Sequence, residues 1–163
     1  MKKIIFIICI YFSTFSAMKA PTVNVNNFFN IKKYSKNIYN YELDRKINII
    51  LKTIRIVESN EDYYAVGKCG EIGAYQIMPN TWKLWCYEVY GTIKEPTKQN
   101  QDTIVYYKLN KWIDKYTIKE IALLWNAGTV APKRLEGFNK YNVYFNINNY
   151  IDKFLKVYNY LSE

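Results

Sequence analysis

Glu58 ends an apolar run and is followed by three glycines and a glutamine in IVESNEDYYAVGKCGEIGAYQIMP, residues 56–79. Ile47, Ile50, Leu51 and Ile54 recur at the spacing of one helical face, and Glu58, four residues beyond Ile54, falls on that face. A carboxyl on the buried side of a helix loses hydration in its charged form, so its pKa rises. A carboxyl that holds its proton near neutrality is suited to general acid catalysis. The alternative is a helix that frays at Val57 and leaves Glu58 in water. Glu61, Asp62 and Glu71 are the nearby acids, and Glu71 sits inside the glycine segment. If Glu71 lay across a cleft from Glu58, a two-carboxylate hydrolytic mechanism would be open; otherwise it is a solvated loop residue.

Other chemistries are limited by composition. The 163 residues include no histidine, which excludes Ser-His-Asp and Cys-His catalysis and removes the commonest zinc ligand. Three cysteines cannot build a four-thiolate metal site. No metal and no cofactor are expected. Carboxylates, Tyr, Lys or a lone Cys must carry any catalysis.

The elements around Glu58 read as mainly α, in one domain with a single core. A helix pattern starts near Tyr41 and runs to Glu58. Asn80 or Thr81 is placed to cap TWKLWCYEVY, which Gly91 ends. Residues 97–115 read as a longer helix. Thr117 and Glu120 form a capping box for the segment that Gly128 stops. A short helical stretch is expected after Pro132, and a last helix from about Asn148 to Leu161. Residues 21–40 are polar and Asn-rich and read as a leader arm, partly disordered.

The N-terminus, MKKIIFIICIYFSTFSAMKA, has two lysines, an apolar run and then small residues, which is the order of a secretory signal peptide. A retained anchor is the alternative. Removing the three lysines of residues 1–20 takes the net charge from +9 to about +6. A basic exported chain suits an anionic surface such as a cell wall. A coding bias toward Lys, Asn, Ile and Tyr would give the same charge. There is no basic stripe or motif for nucleic acid. Loss of Cys9 with the signal leaves Cys69 and Cys86, and exported chains with two cysteines often pair them. Such a bond would tie the glycine loop to the next helix and contribute roughly 3 kcal/mol. Two free thiols are the alternative.

Three stretches in order extend this reading. Glu58-Ser59, then Gly73-Ala74-Tyr75-Gln76-Ile77-Met78-Pro79, then Ala122-Leu123-Leu124-Trp125-Asn126-Ala127-Gly128 resemble the motifs of the lytic transglycosylase (SLT) branch of the lysozyme-like superfamily. The resemblance covers residues 42–160, and Tyr150-Ile151 stands where that family has a Tyr and an aliphatic residue. It implies a lysozyme-like single domain, residues 41–163, with a glycine-rich loop after the catalytic helix. It implies cleavage of the β-1,4 bond between N-acetylmuramic acid and N-acetylglucosamine in peptidoglycan, with Glu58 as acid and then base. The muramic acid C6 hydroxyl attacks and a 1,6-anhydro end forms. Ser59, Tyr75, Gln76, Met78 and Asn126 are the implied glycan-binding residues, and Tyr150 is expected to orient Glu58. Trp125 departs from the family's Tyr, Gly67 from its frequent Ser, and Ala74-Tyr75 from Leu-Met. The expected partners are glycan strands in the periplasm or cell wall, met by a monomer. Size and export fit local wall opening for a secretion, conjugation or phage machine. A hydrolytic muramidase on the same fold and a non-catalytic wall-binding protein are the rival readings.

Overall fold

A computed structural model describes residues 25–163, with side chains from residue 36. The expected signal segment, residues 1–20, lies outside the described residues. The chain divides into two compact units, Met1–Asn40 and Tyr41–Glu163. The described residues are mainly helical, with five helices and one two-stranded sheet.

Helix α1 spans Val25–Ser59. The expected start near Tyr41 is therefore corrected: the polar stretch from Val25 onward is helical, because nothing in it breaks a helix even though its apolar period is weak. Within the second unit, Ile47, Ile50, Leu51 and Ile54 are all buried, as their spacing predicts. Thr53 is buried beside them, and its hydroxyl donates to the Ile49 carbonyl at 2.8 Å.

Helix α2 spans Pro79–Tyr90, and no side chain caps it. The expected cap at Asn80 or Thr81 is displaced because Pro79 starts the helix; its fixed φ suits a first-turn position that lacks an N–H partner. Helix α3, Lys98–Trp112, is capped by the Thr97 hydroxyl, which accepts from the Asn100 amide at 3.3 Å. Helix α4, Ile118–Ala127, begins with the full Thr117–Glu120 capping box and stops at Gly128. Helix α5, Ile147–Ser162, is capped by Asn146.

The short helix expected directly after Pro132 does not form. Instead β1, Glu136–Phe138, pairs antiparallel with β2, Tyr144–Asn146. Asn142 at φ 60° makes the reversal between them, and the Asn139 side chain accepts the amides of Tyr141 and Val143.

The core gathers one face of each helix. Ile104, Val105 and Leu109 come from α3, Ile121 and Ala122 from α4, and Ile151 and Phe154 from α5, all in one buried cluster with the α1 stripe. This packing sets the C-terminal end of α1 against α5 and places Glu58 at the core's edge.

Candidate active site

Glu58 lies in the last turn of α1 and opens into a cleft of about 580 Å³. Gln76, Met78, Asn126 and Trp125 line the same cleft, as do Glu71 and Trp85. The Tyr150 hydroxyl, from the first turns of α5, donates to Glu58 Oε1 at 2.7 Å. Burial pushes the Glu58 carboxyl up to about 7, and the charge of Glu71 adds to the rise. The Tyr150 hydrogen bond, the Lys153 charge and a hydrogen bond from the Trp125 side chain pull it back down. Tyr150 is itself held protonated: burial and the adjacent Glu58 carboxyl push its pKa well above the usual phenol value. The pair is therefore a proton-holding acid steadied by a neutral donor.

The loop after α1 is folded onto α3 by buried polar groups. Gln101 is fully buried; its Oε1 accepts from the Ala74 amide at 2.9 Å, and its Nε2 donates to the carbonyls of Tyr63 and Pro96 at 3.0 and 2.6 Å. Gly73 lies against this amide at φ +66°, and a Cβ there would come within 2.1 Å of Gln101. Only glycine meets both demands. Gln76 follows in a left-handed conformation, φ 48°, with its amide and its side chain both donating to the Gly73 carbonyl. That conformation is sparsely populated for a residue with a side chain, and here it turns Gln76 into the cleft.

Two of the expected glycan-binding residues are placed away from the cleft lining. Tyr75 is fully buried and does not line the cleft; its hydroxyl donates to Asp102 at 2.6 Å and accepts from Arg55 at 3.0 Å. Alternation along the loop sends Tyr75 inward and Gln76 outward. Ser59 also lies outside the cleft lining. Its hydroxyl donates to the Ala74 carbonyl at 3.0 Å and accepts from the Asp62 amide at 3.1 Å, so it fastens the loop to the end of α1.

The expected disulfide is also corrected: Cys69 and Cys86 are free. Cys86 is buried in α2, with its sulfur 3.9 Å from the Lys94 carbonyl. Cys69 lies in the loop, where its sulfur accepts from Asn139 of the hairpin turn at 3.7 Å. The two thiols are engaged by different elements.

Four further residues bear on the site. Glu71 shares the cleft and accepts from the Cys69 amide at 2.8 Å. Trp85 of α2 is half-buried in the wall, with its ring 5.8 Å from that of Trp125. The Lys108 ammonium lies 5.1 Å from the Trp85 ring centre and is fixed by Glu88 at 2.9 Å. Lys153 donates to the Val57 carbonyl at 2.7 Å. The helical period hinted at Lys153, which is three residues beyond Tyr150 and so on the same side of α5. Nothing in the local sequence singled out Trp85 among four tryptophans.

Among the described residues no group of His, Cys, Asp and Glu could hold a metal ion. A proton-holding carboxyl with a second acid nearby, hydrogen-bonding amides and indole faces in an open cleft make an arrangement able to bind a polar polymer and protonate an oxygen within it. No family model, curated protein or solved structure matches the chain, so what this cleft does has to follow from its own geometry.

Proposed function

We propose that the chain is an exported peptidoglycan lytic transglycosylase of the SLT branch, with a lysozyme-like fold and a glycine-rich loop behind its catalytic helix. The observation that carries this reading is the Glu58 carboxyl, raised to about 7 and held by Tyr150 at 2.7 Å where it opens into the cleft. Glu58 gives its proton to the glycosidic oxygen as the C1–O bond breaks, leaving an oxocarbenium-like sugar. The carboxylate then takes the proton of the muramic acid C6 hydroxyl as O6 bonds to C1. The products are a 1,6-anhydro end and a free 4-hydroxyl, and no water is consumed. Gln76 and Asn126 supply amides for acetamido groups, and Trp85 and Trp125 supply faces for pyranose rings. Glycan strands of the periplasm or cell wall are the substrate, and an envelope-spanning machine that needs a local opening is the fitting context.

A second reading has its own observation. Glu71 lines the same cleft and its charge reaches Glu58. With Glu71 guiding a water molecule, the same acid would serve a hydrolytic muramidase. Mass spectrometry of muropeptides released by the purified protein separates the two: anhydro ends support the transglycosylase, reducing ends the hydrolase. Glu58→Gln keeps the shape but has no proton to give, so wall clearing should fall by at least ~10² while glycan binding persists. A folded Glu58→Gln protein that clears the wall at the wild-type rate removes Glu58 from the chemistry.

A further inference from the structure

Helix α5 touches consecutive residues at the end of α1. Tyr150 reaches the Glu58 carboxyl, and Lys153, one turn on, reaches the Val57 carbonyl at 2.7 Å. That carbonyl belongs to the last turn of α1, where helix carbonyls have no partner within the helix and carry the negative end of its dipole. An ammonium there satisfies the orphan acceptor and brings a positive charge close to the acid. We propose that Lys153 is a positioning residue for Glu58, which fixes the last turn of α1 against α5 and moderates how firmly the carboxyl holds its proton. This rests on the reading of Glu58 as the acid, but concerns a contact that the reading does not use.

The balance around Glu58 shows what Lys153 is set against. Burial and the Glu71 charge from the loop favour the protonated carboxyl. Tyr150 and Lys153 from α5 and Trp125 from α4 favour the carboxylate. On α1 itself, Arg55 is engaged by Glu61 at 3.2 Å, and Lys68 of the loop also lines the cleft. Lys153 is the cation whose charge draws the Glu58 carboxyl down. An acid that must release its proton and then recover one needs a pKa near the working pH, and burial alone would carry it higher. Lys153 offsets part of that rise.

The test reads the protonation of Glu58 directly, by carbon-detected NMR titration of its carboxyl in the full chain. Lys153→Met should move the midpoint up by about half a pH unit or more, because a nearby positive charge is lost. Lys153→Arg should stay near the wild-type midpoint. On purified peptidoglycan the alkaline limb of the activity profile should move up with it. An unchanged midpoint in folded Lys153→Met overturns the proposal, since a merely structural anchor would alter stability without moving the titration. If Lys153→Met does not fold, Lys153→Gln replaces it, and failure of both while Lys153→Arg folds would also overturn the electrostatic role. A shifted midpoint in a protein that cuts no wall would sustain Lys153 and defeat the transglycosylase reading instead.

Discussion

Residues 65–77 and residues 135–147 both border the cleft, and they are held by different means. The first segment has Ala74, Tyr75 and Ile77 in the core, and Gln101 holds its Ala74 amide while also bonding the Tyr63 carbonyl just before it and the Pro96 carbonyl ahead of α3. Tyr63 and Tyr75 share the Asp102 carboxylate, which Arg55 faces at 3.5 Å. That buried environment and the Asp102 bond push Tyr63 up to about 12, so it stays a donor. The hairpin gives the core only Ile147 and the partly buried Phe145. Leu135, Phe138, Tyr141 and Tyr144 are all exposed, and apart from Asn139 donating to Cys69 its side-chain bonds are local, such as Glu136 accepting from Tyr144 and Asn146. One wall is set by side chains from distant helices, and the other by its own turn. A cleft built this way keeps its acid and amides in fixed geometry while the opposite wall has few buried contacts to lose on opening.

The strongest way to break that contrast is Gln101→Leu. It orphans the Ala74 amide and the Tyr63 and Pro96 carbonyls, at about 1–3 kcal/mol per buried group. The expected loss is about 3–5 kcal/mol in urea denaturation, and a midpoint close to wild type would show that the loop wall is not gripped by α3. Next comes the cleft floor between the walls. A raised carboxyl pKa means that the folded chain binds a proton the unfolded chain has released. Glu58's contribution is whole below the ordinary carboxyl value of 4.5 and is lost as pH rises through about 7. Glu58→Gln has no such loss. Its stability relative to wild type should climb by about 2–3 kcal/mol between pH 4 and pH 8.5 in thermal melts. A gap that is flat with pH would mean that Glu58 is not buried in the way described.

Smaller still is Phe138→Ser on the hairpin. It removes one exposed ring contact, 5.4 Å from Tyr144, and should cost under about 1 kcal/mol. A loss comparable to Gln101→Leu would erase the distinction between the walls. The smallest effect is expected from reductant. With Cys69 and Cys86 free, melting with and without it should coincide, and thiol titration of the denatured protein should find both.

The regular part of this structure was legible because period and punctuation act locally. The α1 stripe, the Thr117–Glu120 box, and Gly91 and Gly128 as stops each depend on residues within a turn or two. The same period put Glu58 on the inner face. What escaped depends on distance along the chain. Tyr75 and Ser59 lie in stretches that read as glycan-binding, but Asp102, Arg55 and the Ala74 carbonyl claim their hydroxyls. The hairpin escaped because three-residue strands leave too little alternation to detect, and its turn rests on Asn139 and Asn142 rather than on a glycine pair. Export and an even cysteine count argued for a bond, yet pairing is decided by where two sulfurs point.

Gly67 shows how such packing binds one position to another. A Cβ there would lie 2.2 Å from Glu71 Oε2 and 2.4 Å from Gln76 Oε1. A serine at 67 therefore evicts the Glu71 carboxylate from the Cys69 amide and crowds the glutamine that faces the cleft. Glycine at 67 and glutamate at 71 are therefore sterically linked. A chain that gains a hydroxyl at the first place does best with a shorter residue at the second. In this protein, the missing side chain is what gives the second acid its room.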